Sequence, residues 1–232
     1  SADLVLIENG LQVIVETIKA GRQIMDNVKK IVAYLLSTGF SELLLVGGAL
    51  AASGPIPLLP AQILWVNVIE SGFMNFAFAF EPEEHDLMRR DPRRVSEGIL
   101  TGPLRLLIFL VALTTGSFLV ALYFWLLRIG ISEENLRTFM FIGVAVDSIF
   151  FSLSMKNLKK PLWKIHLFSN KYLLAALALS LTALFAALAA PPLQTLLSLT
   201  PFSLEVFFLI IGLGIINVGV IEVAKSVAFR GE

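Results

Sequence analysis

Glu42, Asn67, Glu70 and Asp147 carry oxygen ligands and fall inside long apolar stretches of the chain. Glu42 lies eleven residues into the run Ile31–Ala52. At about 1.5 Å per residue that is roughly 16 Å deep, close to the midplane of a hydrocarbon layer about 30 Å thick. Asp147 lies at a similar depth in the stretch 136–155. Asn67 and Glu70 are three apart and Asn67 and Ser71 four apart, so the spacing predicts one helix face for all three. Gly72, next in the chain, tolerates local unwinding, which a membrane accepts only where backbone lines a cavity or a ligand site. The cores of these stretches contain no Lys or Arg, Arg137 standing at the outer edge of 136–155 beside Glu133 and Glu134, so the acids lack a counter-charge within the chain. A hard cation, which prefers carboxylate and carbonyl oxygens, would resolve the conflict, and so would protonation. The bland alternative is acids that stay protonated and only hydrogen-bond across helices.

The elements that must position these groups follow from hydropathy. Hydrophobic residues make up 56% of the 232 residues and mean hydropathy is +0.82, more than a water-soluble core of this size needs. Six stretches have spanning length: 31–52, 61–80, 104–127, 136–155, 172–190 and 204–224. The first is the inner part of a proline-free run from 11 to 52, whose Ile14, Ile18, Ile24, Val28 and Ile31 keep helical spacing. Its outer part, 11–30, is charged and predicts a stalk that projects from the membrane. Net charge is zero, but sixteen of the eighteen Lys and Arg precede the first span or lie in 81–105, 156–171 and the tail. The positive-inside rule then places both termini and those two loops in the cytoplasm. The expected fold is therefore an all-α integral membrane protein of six transmembrane helices, the first extended into a stalk.

Other signals are weaker. Ala2–Ile7 reads as a short strand ended by Glu8-Asn9-Gly10, and a lone strand needs partners outside the chain. The 81–103 loop mixes both charges and suits an ordered surface against another domain or a solvated loop. Lys156–Lys164 has fewer acids and is the better lipid-surface candidate. Trp65, Trp125 and Trp163 fall near predicted interfaces, His85 and His166 in loops, and Asn217 reads as an interhelical hydrogen-bonder. No cysteine is present, so disulfides and thiolate metal sites are excluded. There is no Gly-rich phosphate loop, no Ser-His-Asp or His-Glu-His spacing, and nothing that points to nucleic acid.

Several strings resemble the C-terminal third of a type-two P-type cation-transporting ATPase. Ala2-Asp3-Leu4-Val5-Leu6 resembles the last strand region of that family's phosphorylation domain. Gly21-Arg22, Ile24, Asn27 and Lys29-Lys30, followed by Tyr34-Leu35-Leu36-Ser37, resemble its stalk and fifth transmembrane helix. Leu64-Trp65-Val66-Asn67 resembles the sixth helix, and Asp86-Leu87-Met88 to Pro92-Arg93 the loop after it. The resemblance implies that 1–10 is the end of a cytoplasmic phosphorylation domain, 11–30 a stalk helix and 31–232 the six-helix transport domain. It aligns Glu42 with the fifth-helix acidic cation ligand and Asn67 with the sixth-helix asparagine. Glu70 falls where calcium pumps have a threonine ligand, Ser71 where they have the shared aspartate, and Gly39 where they have an asparagine. Asp147 lies at, or one residue from, the eighth-helix acidic or amide position. The sixth-helix acid has thus moved by one residue, about 100° around the helix, so calcium cannot be assumed.

The expected activity is cation transport driven by ATP in a longer protein, whose Mg and ATP bind outside this chain. The family's Asp-Lys-Thr-Gly and Thr-Gly-Glu motifs do not occur here, so no catalytic residue and no cofactor is expected in these residues. The expected partners are the transported cation (calcium or another divalent, with a proton or monovalent ion as alternatives), the lipid bilayer and the N-terminal part of the same pump. The expected location is a prokaryotic plasma (inner) membrane. Two other readings use the same acids differently: a gradient-driven transporter or channel, and a non-transporting membrane anchor.

Overall fold

The computed structural model describes residues 10–83, 87–89, 98–201 and 204–230. All regular structure among the described residues is helical. The strand expected at 2–7, His85 and residues 84–86 and 90–97 of the 81–103 loop lie outside them.

Five helices are long and apolar enough to cross a membrane: α1 (Leu11–Ala51), α4 (Gly102–Arg128), α5 (Glu133–Met155), α6 (Lys171–Ala189) and α8 (Leu204–Ala228). The stretch 61–80, expected as the second span, is composite. It runs as α2 (Pro60–Asn67), a π-helical segment (Val68–Met74) and α3 (Asn75–Ala79). Pro60 suits the first turn, where its missing N–H removes a donor that would have no partner. The π segment carries Glu70 and Gly72, the place where the sequence tolerates a change of winding. One element is new relative to the sequence reading. The stretch 190–203, expected as a plain connection, contains α7 (Pro191–Leu197), which stops at Ser198 with a φ of 51°.

The elements run up and down, so two ends of the bundle can be told apart. At the basic end, Asn27 of α1 donates to the carbonyls of Ala79 (3.1 Å) and Glu81 (3.0 Å), and Gln23 also donates to Glu81 (3.0 Å). These bonds satisfy carbonyls that the end of α3 leaves without helical partners. At the opposite end, Gln62 donates to the Leu197 carbonyl (3.0 Å), Tyr123 to that of Pro55 (2.7 Å), and the Thr138 and Thr200 hydroxyls meet at 2.9 Å. Gly54 has no Cβ because one would collide with the Tyr123 hydroxyl.

Burial ranks the helices. In α5, 89% of the apolar window is enclosed by protein, against 33% in α1 and 28% in α8. Helix α5 is the central post. Helix α1 buries a narrow stripe of mostly small and hydroxyl-bearing residues, Ala33, Ser37, Thr38, Ser41 and Ala49, with Leu45 among them. Small residues let backbones approach, which is how apolar helices gain contact in lipid. At Gly116 of α4 a Cβ would stand 2.7 Å from Leu44 Cδ1 and 3.3 Å from the Ser41 Cα, so this glycine admits α1.

Candidate functional site

Glu70 is the best-enclosed acid of the membrane interior, 2% exposed, and it projects from the π segment toward α1 and α5. The Ser148 hydroxyl of α5 donates to its Oε1. Ser148 is fixed in turn, because Tyr34 of α1 donates its hydroxyl to the Ser148 carbonyl at 3.0 Å. Tyr34 itself stacks on Phe151 (5.4 Å between ring centroids) and meets Phe78 edge-on (5.5 Å). Thr38, one helical turn beyond Tyr34, places its side chain beside the Glu70 carboxyl. Helices α1 and α5 therefore each bring a hydroxyl to this one carboxylate, and Tyr34 holds the backbone of the residue that bears the second.

Glu42 follows Thr38 by one more turn of α1 and lies within electrostatic reach of Glu70. Its Oε1 is buried and has no hydrogen-bond partner. A desolvated carboxylate oxygen without a donor is an unusual feature in a folded protein, because each such group forfeits its hydration with nothing in return. The segments bearing Glu42 and Glu70 contain no Lys or Arg to answer their charge.

Asp147 is buried but differently engaged. Its Oδ1 accepts from the Asn217 amide at 2.5 Å, and the same amide reaches the Thr115 hydroxyl at 2.9 Å. This bond network joins α5 to α8 and α4, as expected of Asn217. Asp147 still acts on Glu70 electrostatically, more weakly than Glu42 does.

Asn67 and Ser71 do not join Glu70 on one face. Both are exposed while Glu70 is buried. The physical reason is the winding: the spacing argument assumed 3.6 residues per turn, and a π segment with i→i+5 bonding rotates successive side chains by a smaller angle. Among the described residues no three His, Asp or Glu side chains draw together closely enough to hold a metal ion by themselves. Any cation here would therefore use hydroxyl or carbonyl oxygens as well as Glu42 and Glu70. Three supporting residues escaped the sequence reading: Thr38, Tyr34 and Ser148. Ser148 directly follows Asp147 and Thr38 precedes Glu42 by four, so each had a positional cue but no chemical one. Asn75 also has a buried Oδ1 without a partner, one turn beyond Ser71.

Comparison with known proteins shows the family. Residues 55–227 match the family described as "Cation transporting ATPase, C-terminus". The chain is 28% identical to "Calcium-transporting ATPase 1" of Bacillus cereus, over 97% of this chain and 27% of that protein. It is 30% identical to "Calcium-transporting ATPase type 2C member 1" of Bos taurus, over 98% of this chain and 24% of that protein. It is 28% identical to "Probable cation-transporting ATPase F" of Mycobacterium bovis, over 89% and 23% respectively. The chain thus spans about a quarter of the length of these relatives. It belongs to the cation-transporting P-type ATPases and corresponds to their C-terminal membrane part.

Proposed function

We propose that the chain is the ion-binding half of an ATP-driven cation pump and that Glu42 and Glu70 hold the cation at mid-membrane. The observation that carries this reading is the buried, partnerless Oε1 of Glu42 within electrostatic reach of Glu70. Two negative groups in a desolvated place need a positive guest, and carboxylate and hydroxyl oxygens suit a hard one. Thr38 and Ser148 supply further oxygen nearby, and Asp147 adds negative charge from α5. Asn67, the last residue of α2, and Ser71 of the π segment offer oxygens on the exposed side, away from Glu70 and toward the N-terminal helices of the full pump.

In this reading the chain has six spans, the composite helix included, and both termini face the cytoplasm. Residues 1–10 end the phosphorylation domain and 11–30 form the stalk. Upstream chemistry with Mg and ATP tilts α1, and Glu42 moves against Glu70 so that the site opens to one side and then the other. Calcium, named in several relatives, is the first ion to test, and the membrane is a prokaryotic plasma (inner) membrane.

The test is cation uptake into inverted vesicles by the full-length pump carrying Glu42→Gln or Glu70→Gln. Each variant should lose uptake and cation-stimulated ATP hydrolysis by at least about 100-fold, the effect of removing a desolvated charged ligand. Unchanged cation affinity in both variants would overturn the assignment.

A further inference from the structure

The loop between α5 and α6 carries five lysines and no acid from Lys156 to Tyr172. It is pinned at three points. Lys156 pairs with Glu81 (2.5 Å) and donates to the Ser169 hydroxyl (2.7 Å), and Asn170 donates to the second Glu81 oxygen (2.7 Å). Both ends of the loop are thereby tied to the end of α3. Midway, the Leu162 N–H donates to Glu222 of α8 at 3.0 Å. Asn157 accepts from the backbone of Lys159 and Lys160. The inward charge of Lys156 is answered by protein, while Lys160, Lys164 and Lys171 are exposed.

Two large aromatic residues share this exposed surface: Trp163 is 74% and Phe168 79% exposed. In water both would be unfavourable. At the level where two spans end, they sit where aromatic rings enter the headgroup layer. Beside them, Ile165, His166, Leu167, Phe168 and Ser169 line an open concavity of about 540 Å³. Exposed lysines on a pinned loop, interfacial rings and an apolar recess together match a molecule with an anionic head and a hydrocarbon tail.

We propose that this loop is a binding site for an acidic phospholipid of the cytoplasmic leaflet. Lys160, Lys164 and Lys171 hold the headgroup phosphate, and Trp163, Phe168 and the adjoining recess hold the start of the acyl chains. The proposal rests on the orientation given under the proposed function, and it concerns residues remote from the ion site.

The experiment uses the full-length pump in nanodiscs with Trp163 as its sole tryptophan. Phosphatidylcholine or phosphatidylglycerol, each brominated on the acyl chains, is supplied at equal mole fraction. Phosphatidylglycerol should quench Trp163 roughly twofold more strongly, because local lysines enrich anionic lipid. Lys160→Gln, Lys164→Gln and Lys171→Gln together should equalise the two lipids. As a second measurement, the detergent-purified pump with all its tryptophans should retain more phosphatidylglycerol per protein than the triple lysine variant. Equal quenching by the two lipids, no quenching by either, or retention unaffected by the lysine changes would overturn the proposal. ATP-driven uptake measured in the same preparations separates the two readings: loss of the lipid preference with uptake intact defeats only this one. Absent uptake with the preference intact defeats only the transport reading.

Discussion

Buried charge occurs in two regions of the molecule, and the two treat it in opposite ways. At the basic end both buried acids among the described residues are answered. Glu81 is held by Lys156 and Asn170, and Glu222 by Lys225 (3.0 Å) and the Leu162 N–H. Lys225 in turn donates to the Ser154 carbonyl at 2.9 Å. In the interior, Glu42 keeps an oxygen with no partner and Glu70 receives only hydroxyl contacts. Paired charge fixes helices relative to one another. An interior acid without a donor is open to a cation, as proposed above, or to a proton.

The largest expected effect breaks the paired region. Lys156→Met should destabilise the protein by about 3–5 kcal/mol, since it strands the Glu81 carboxylate in a buried position. The measurement is thermal unfolding in detergent. Adding Glu81→Leu to the same protein should restore most of that loss, because replacing a whole buried ion pair by apolar groups is often neutral. Glu42→Gln, by contrast, should leave the unfolding midpoint unchanged or raise it while transport is lost. Equal destabilisation by Lys156→Met and Glu42→Gln would erase the distinction between the regions.

A smaller effect probes how α1 reaches the interior site. Gly116→Ala drives a methyl group into Leu44 and toward the Ser41 backbone, with an expected loss of about 1–3 kcal/mol. Because Ser41 adjoins Glu42, the same change should weaken cation affinity, read from the cation dependence of ATP hydrolysis. The smallest effect sharpens the standing of Asp147. Asn217→Leu removes its amide donor and should reduce stability by about 1 kcal/mol, as interhelical hydrogen bonds in membranes do. A much larger loss of cation affinity than of stability would move Asp147 from the structural group to the ligand group.

Much of this organisation was legible in the residues, and the failures have physical causes. The uninterrupted α1 follows from the lack of proline and the spacing of its isoleucines, and the basic end from the clustering of Lys and Arg. Glu42 and Glu70 stood out because an acid in an apolar stretch is conspicuous whatever the fold. The shared face of Asn67, Glu70 and Ser71 failed because π winding depends on tertiary packing and leaves no residue code beyond a permissive Gly72. Thr38 and Ser148 were hidden because hydroxyls in apolar helices usually bond to their own backbone, as Thr38 also does to Tyr34 at 3.1 Å. The pairing of Glu81 with Lys156 joins residues 75 apart, a contact that local spacing does not encode.

The Asn27 side chain divides α1 into two arms. Leu11 lies sixteen residues before it and Glu42 fifteen after, about 24 Å and 22 Å of rigid helix. A rod held at such a fulcrum transmits motion almost without gain, with its ends moving by similar amounts in opposite senses. Swinging the outer tip by a few ångströms would displace the Glu42 carboxyl by nearly as much.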